Sequence, residues 1–121
     1  MTGTSTGTEI LGIARITFTE GGAEEFERLS ERCMEIVRTQ DTGTLQYDVY
    51  LDEARTRAVV VERYRDSAAL LEHLEHIGPE LMAAVVACGE MEGETLGVPS
   101  PELRAAMGEN AVGVLLPHLS L

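Results

Sequence analysis

Apolar and polar residues change their spacing several times along the chain, and each change predicts a new element. Residues 9–19 are rich in β-branched and apolar side chains and lead into Gly21-Gly22, which predicts a strand and a turn. Residues 23–39 carry apolar side chains at helical spacing with charged residues between them, which predicts an amphipathic helix. Residues 44–51 and 57–64 predict two further strands, joined by a short polar connection.

The second half of the chain predicts two helices, a weaker strand and an apolar end. Asp66-Ser67 is an N-cap signal for the second helix, which Gly78-Pro79 interrupts, and Pro99-Ser100-Pro101-Glu102 is a start signal for a short third helix. Gly93 weakens the fourth strand. The predicted ranges, in order, are 68–77 with its continuation 80–88, then 90–96, then 101–107, and finally 112–116 as a short strand or a simple tail.

The resulting order β-α-β-β-α-β predicts an α+β, ferredoxin-like fold with an antiparallel sheet and two helices on one face. We expect one domain at 9–107, a flexible leader at 1–8 and an apolar tail at 108–121. The predicted strands carry apolar residues on both faces, and two helices cover only one of them. The uncovered face predicts a homodimer in which two sheets pack together, with the tail docking on the partner. The alternative is a tail that covers the open face of its own subunit.

Composition and charge exclude several classes of function. The chain has 121 residues and a net charge of −12, which disfavours nucleic-acid binding. All nine basic residues are Arg, so no lysine can form a Schiff base. No segment approaches the ~20 apolar residues of a membrane span, and no signal peptide is evident, so we expect a cytoplasmic protein without membrane contact. Cys33 and Cys88 form no CxxC pair, and His73 with His76 lacks a third ligand, so we expect buried thiols and no metal.

His73 is the first candidate for catalysis. On a helical wheel it lies about 80° from the centre of the buried stripe, whereas His76 lies about 140° away and faces water. A neutral imidazole at the edge of the core can take a proton from a phenol near pH 7. The alternative for His73 is a structural histidine bonded to a backbone carbonyl.

Five further residues complete the predicted site. The chain has three tyrosines, Tyr47, Tyr50 and Tyr64, whose rings suit a flat phenolic ligand, although aromatic residues also favour strands. Strand alternation places Tyr47 and Tyr50 on opposite faces without showing which one meets His73. We predict Tyr50 as the second catalytic residue and Tyr47 and Tyr64 as substrate-binding. Glu62 and Met82 are predicted as two more substrate-binding residues. The alternative for Glu62 is an ion pair with Arg15 or Arg63, which is the more common arrangement for a carboxylate in an apolar strand. The alternative for Met82 is a plain core role.

A resemblance to a known family supports this reading. Within residues 59–74, the segment VVERYRDSAALLEHL resembles the signature of the antibiotic-biosynthesis monooxygenases, with Glu62, Tyr64, Asp66-Ser67 and His73-Leu74 at the matching positions. GTLQYDVYLDE resembles the second strand of that family and PSPELRAAMG its C-terminal helix in one branch, so the resemblance spans residues 9–107. It implies a dimeric α+β barrel.

The resemblance also implies function. Members include cofactor-independent monooxygenases of anthrones and quinols, haem-degrading enzymes and proteins of unknown activity. This chain has no Trp, so Tyr64 stands where many members have one, and the second His of a Pro-His-Phe element is missing; both departures weaken the haem-degrading reading. The leading hypothesis is a monooxygenase of a small aromatic substrate that needs no cofactor, with His73 as base or substrate anchor. The alternatives are a non-catalytic dimeric binding or accessory protein and, third, a haem protein with His73 as axial ligand.

Overall fold

The structure is a computed structural model and describes residues 8–108 and 113–121. Its elements follow the predicted order, and of the two alternatives for residues 112–116 the structure shows the short strand, at Val114–Leu115. They are, along the chain, β1 (Ile10–Phe18), α1 (Gly22–Gln40), β2 (Thr44–Leu51), β3 (Arg57–Tyr64), α2 (Ser67–Val86), β4 (Gly89–Leu96), α3 (Pro101–Met107) and β5 (Val114–Leu115). Residues 1–7 of the predicted leader and Val112 of the predicted last strand lie outside the described residues.

The sheet has five strands in the order β2-β3-β1-β4-β5. β1, β2, β3 and β4 pair in antiparallel fashion, which confirms the predicted ferredoxin-like α+β fold. β5 pairs with β4 in parallel, so the sheet is mixed rather than purely antiparallel. In the centre, Ala14 lies opposite Val60 on β3 and opposite Gly93 on β4, which places β1 in the middle of the domain.

The core lies between the sheet and the two long helices. α1 contributes Phe26, Leu29 and Cys33, which are buried at helical spacing while the charged residues between them face solvent. They pack against Ile16 and Val60 on the helix side of the sheet. The apolar stripe therefore fixes which face of α1 meets the sheet.

α2 begins at a cap and bends in its middle. The side chain of Asp66 accepts a hydrogen bond from the backbone N–H of Ala69 at 2.8 Å, as the N-cap signal predicts. Gly78 adopts φ 79° and ψ 160°, and Pro79 follows, so the helix kinks there and continues to Val86. The predicted interruption is confirmed as a kink. It turns the second half of α2 along the same face of the sheet, where Leu81 and Met82 join the core.

In the part of the chain that the structure describes, no helix lies over the other face of the sheet. Leu11, Ile13, Val59 and Val61 are only half-buried there, and Tyr50 is 57% exposed. The leucines of the C-terminal tail beyond β5, Leu116, Leu119 and Leu121, are exposed as well. We call this surface the open face. Among the described residues, no helix is long and apolar enough to cross a membrane.

Candidate active site

A cavity of about 170 Å³ lies between the helix side of the sheet and the two long helices. Its walls are mostly apolar and come from α1, α2 and four strands. The lining residues are Ala14, Phe26, Ser30, Cys33, Tyr47, Val49, Val60, Glu62, His73, Leu74, Ile77, Met82, Val85 and Met91. His73 and Glu62 supply the imidazole and the carboxyl group of the lining, so the proton-transfer chemistry of the cavity depends on them.

His73 is 3% exposed and is held by a carboxylate rather than by a backbone carbonyl. Its Nδ1 lies 2.8 Å from Oδ2 of Asp41, and Oδ1 of the same carboxylate lies 2.6 Å from Nδ1 of His76. One carboxylate therefore bridges two imidazole rings. Because Nδ1 of His73 is engaged by Asp41, Nε2 is the nitrogen available to the cavity that the ring lines.

Asp41 is itself buried and well supplied with hydrogen-bond donors. Its side chain is 1% exposed, and Oδ2 also accepts a hydrogen bond from the Thr44 hydroxyl at 2.7 Å. Burial acts to raise the pKa of Asp41, but hydrogen bonds from His76, Thr44 and His73 outweigh it and hold its pKa below the usual value. The carboxylate therefore stays charged in the physiological range, beside the ring that it orients.

Gly43 brings Asp41 within reach of α2. A Cβ atom at this position would lie 2.5 Å from Cβ of Ala69, so only glycine allows the turn after α1 to pass this close to the helix. The backbone carbonyl of Gly43 accepts a hydrogen bond from the N–H of Arg65 at 2.9 Å, which fixes the approach. This close passage sets Asp41 beside His73.

Two tyrosine rings flank His73. The ring centroids of Tyr47 and Tyr64 each lie 5.4 Å from that of His73, tilted by about 50°. Burial, followed by the charge of Glu62, raises the pKa of both phenols, so both remain protonated. They can serve as hydrogen-bond donors and as walls, but not as bases.

Glu62 does not form the ion pair that its sequence neighbours suggested. Arg15 pairs with Glu94 at 2.8 Å and Arg63 lies 3.9 Å from Glu9. The Tyr64 hydroxyl instead donates a short hydrogen bond to Oε1 of Glu62, and the side chain lines the cavity. Burial raises the pKa of Glu62 more than the Tyr64 hydrogen bond and the charge of His73 lower it. The prediction of an arginine partner was wrong, because Arg15 and Arg63 belong to the open face.

The structure brings most of the predicted site residues together. His73, Tyr47, Glu62 and Met82 line one cavity, and Tyr64 contacts two of them, His73 and Glu62. Tyr50 is not part of this group. It lies on the open face, 57% exposed, so a role for it beside His73 is not supported. The sequence left open which tyrosine lies on the face of the sheet that His73 packs against, and the structure shows that it is Tyr47.

Sequence reasoning missed Asp41 and Cys33, and it placed His76 in water. Asp41 directly follows α1 and has the appearance of a loop residue, because its partner His73 comes 32 positions later. A buried histidine needs a polar partner, and that requirement was the one available signal. Cys33 lines the cavity together with Tyr47, and burial raises the pKa of its thiol. Both cysteines are free and buried, as predicted.

In residues 8–108 and 113–121, one set of side chains has ligand atoms close enough together for a metal ion. Atoms of Asp41, Glu72 and His76 lie within 4.8 Å of one another. Each of these groups is already engaged, since His76 bonds Asp41 and both carboxylate oxygens of Glu72 accept hydrogen bonds from Thr42. We interpret the set as a hydrogen-bonded cluster and assign no metal to it.

Fold and cavity together define a small α+β protein with an acid–base group inside an apolar pocket. The family model described as antibiotic biosynthesis monooxygenase matches residues 10–86, which is more than half of the chain. The chain therefore belongs to this family, as the resemblance at residues 59–74 indicated. A comparison with curated proteins finds no match.

Solved structures share the fold at low sequence identity. MupZ from Pseudomonas fluorescens is similar at TM-score 0.81 and 19% identity, covering 95% of this chain and 89% of its own. PA3566 from Pseudomonas aeruginosa has TM-score 0.62 and 28% identity, covering 77% and 96%. A mutant of SnoaB, a cofactor-independent oxygenase from Streptomyces nogalater, has TM-score 0.61 and 16% identity, covering 77% and 95%.

Proposed function

We propose that this protein is a cofactor-independent monooxygenase that oxidises a phenolic, quinol or anthrone-like aromatic with molecular oxygen. The observation that carries the proposal is the pair formed by Asp41 and His73, whose free nitrogen is available to an apolar cavity. Membership of the antibiotic biosynthesis monooxygenase family and the fold shared with a cofactor-independent oxygenase support the same reaction class.

The reaction begins with proton removal by His73. Nε2 takes a proton from the substrate, and the negative charge of Asp41 stabilises the imidazolium that forms. The electron-rich substrate anion then reduces oxygen and combines with it to give a peroxide. The second proton of the same carbon passes to the outer peroxide oxygen as the O–O bond breaks, hydroxide departs and a carbonyl group is left, so that one substrate CH₂ and one O₂ become C=O and H₂O. The imidazolium returns its proton to the departing hydroxide.

The walls of the cavity set the size and chemistry of the substrate. Its volume of about 170 Å³ is below the ~300–1,000 Å³ of typical ligand pockets. We therefore expect a substrate with few fused rings or one that enters only in part. Tyr47 and Tyr64 offer aromatic faces and hydroxyl donors, and Met82 offers an adaptable apolar contact.

The open face supports a homodimer as the working form. Four half-buried apolar side chains, Leu11, Ile13, Val59 and Val61, lie on a surface without a covering helix. A second copy can bury this surface symmetrically, with the exposed leucines of the C-terminal tail docking at its margin. Two free thiols fit a reducing cytoplasm. Sedimentation equilibrium at twice the monomer mass is the expected result, and a monomer at micromolar concentration contradicts it.

Oxygen consumption tests the proposed activity. We expect the wild-type protein to consume oxygen with hydroquinones or anthrone and His73→Ala to lose at least about 100-fold in rate while keeping its circular dichroism spectrum. His118→Ala is the matched control, since His118 is exposed in the tail beyond β5. An unchanged rate in His73→Ala contradicts the proposal.

Oxygen consumption, together with calorimetry and haem absorption, separates the two alternatives. A non-catalytic binding protein binds the aromatic, seen by calorimetry, but consumes no oxygen with any of these compounds. A haem protein instead shifts the Soret band of added haem, and this shift is changed or lost in His73→Ala.

A further inference from the structure

Glu62 is a second titratable group in the cavity, and its surroundings suit a neutral carboxylic acid. The side chains that line the cavity include no arginine, and the chain contains no lysine, so no cation of the lining balances a charge on Glu62. Asp41, already negative, lies on the far side of His73. Burial raises the pKa of Glu62, which keeps the proton on it to higher pH than usual.

Glu62 is also positioned from two sides. It pairs with Tyr47 across β2 and β3, and the Tyr64 hydroxyl donates to its Oε1. Both tyrosine rings also contact His73, so the carboxyl group and the imidazole are neighbours across one small cavity. Oε2 makes no hydrogen bond within the described part of the chain and is available to a bound molecule.

We infer that Glu62 and His73 form an acid–base pair that enolises a carbonyl compound bound in this cavity, an activity that needs no oxygen. The inference uses the site of the proposed function but not its oxygen chemistry. A buried carboxylic acid that keeps its proton to higher pH than usual, facing an imidazole nitrogen across the same cavity, is the arrangement that proton abstraction next to a carbonyl requires.

The step balances without any further reactant. Nε2 of His73 takes the proton from the carbon next to the carbonyl or, in anthrone, from the CH₂ group that is conjugated to the carbonyl through the fused rings, and the C–H electron pair forms the new C=C bond. The carbonyl π electrons move to oxygen, which takes the proton of Glu62. The products are the enol, the Glu62 carboxylate and the His73 imidazolium. Reversal of the step delivers a proton that has exchanged with solvent to the carbon.

Hydrogen exchange under argon tests the pair. The full-length protein is incubated in D₂O with anthrone or with 2-tetralone, a two-ring ketone, and deuterium at carbon is followed by NMR. We expect the wild type to accelerate exchange and Glu62→Gln, which keeps the shape but cannot release a proton, to lose about 100-fold. Glu31→Gln, the same change at an exposed position on α1, is expected to exchange like the wild type.

Each outcome bears on the inference. Exchange that is absent from the wild type with both ketones, or that survives in Glu62→Gln, overturns it. If Glu62→Gln does not fold, Tyr64→Phe keeps the ring and removes the hydroxyl that fixes Glu62, and a loss of roughly five- to tenfold is expected. If the wild type exchanges hydrogen but consumes no oxygen in air, the inference is supported and the proposed monooxygenase activity is contradicted. If the wild type consumes oxygen and Glu62→Gln exchanges hydrogen as fast as the wild type, the monooxygenase is supported and the inference is contradicted.

Discussion

Asp41 and His73 are 32 positions apart in the sequence, and Oδ2 of Asp41 lies 2.8 Å from Nδ1 of His73. The turn that ends α1 and the second turn of α2 meet at this contact. A buried carboxylate at Nδ1 fixes the tautomer of the ring and directs Nε2 towards the substrate side. Through this contact His73, which lies at the boundary of the core, is held in the orientation that a base requires.

Replacing Asp41 by Asn keeps the shape of the side chain and removes its charge. We expect the rate of oxygen uptake to fall by about 10²–10⁴-fold, because the imidazolium loses its counter-charge and the amide can favour the wrong tautomer. The measurement is kcat by oxygen electrode, with Glu31→Gln, which neutralises an exposed carboxylate on α1, as control. A rate within twofold of the wild type contradicts the role assigned to Asp41.

The bond between His76 and Asp41 makes stability depend on pH. The hydrogen bond to Asp41 is the main cause that raises the pKa of His76 above 6.5. Such a group stabilises the fold fully below the pKa of the unfolded chain, and its contribution is lost as pH rises through the higher folded value. We expect the free energy of unfolding of the wild type to exceed that of His76→Gln at pH 6 and the difference to shrink by pH 9. Urea titrations at both values check this, and a difference that grows with pH contradicts it.

Gly43 allows the close passage that sets Asp41 against α2. In Gly43→Ala the new Cβ would lie 2.5 Å from Cβ of Ala69, so the turn must move away from the helix. We expect a loss of about 1–3 kcal/mol in the free energy of unfolding and slower oxygen uptake. The double variant Gly43→Ala/Ala69→Gly removes the clash, and we expect it to regain most of the rate. Equal rates in the single and double variants would falsify the steric argument.

The open face gives a prediction about assembly. Val61→Glu places a charge in the centre of this surface, and we expect the dimer to dissociate at micromolar concentration because an unpaired carboxylate resists burial. Val86→Glu makes the same change at an exposed position at the end of α2 and serves as control. Sedimentation velocity distinguishes the two, and a Val61→Glu dimer as tight as the wild type contradicts the proposed interface.

Most of the fold could be predicted because local patterns agree with the tertiary structure. The ranges predicted for β2 and β3 coincide with the observed Thr44–Leu51 and Arg57–Tyr64, since alternating strands flank a polar turn. The parallel pairing of β5 could not be read in the same way. The two residues of β5, Val114 and Leu115, are too few to show a periodicity. Their pairing with β4 depends on the tertiary structure, which leaves that edge of the sheet free.

The site was predicted in part, and strand parity explains both the success and the errors. Alternation separated Tyr47 from Tyr50 but could not say which face the helices cover. The same rule applied to Glu62 excludes Arg63, its sequence neighbour, as a partner on the same face. Asp41 was not predicted as a site residue because its contact with His73 forms only when α1 and α2 pack together. The pattern within either helix alone does not indicate this contact.

The short strand β5 has a consequence for how copies of this protein can meet. It occupies the end of the β4 edge, where the backbone N–H of Gly97 also donates to the carbonyl of Leu115 at 3.0 Å. Unpaired strand edges are templates for lateral growth of a sheet into filaments. With part of this edge occupied, continuation of the sheet from one molecule to the next is obstructed on the β4 side. At the other edge, β2 presents the exposed Asp48, whose charge discourages the same addition.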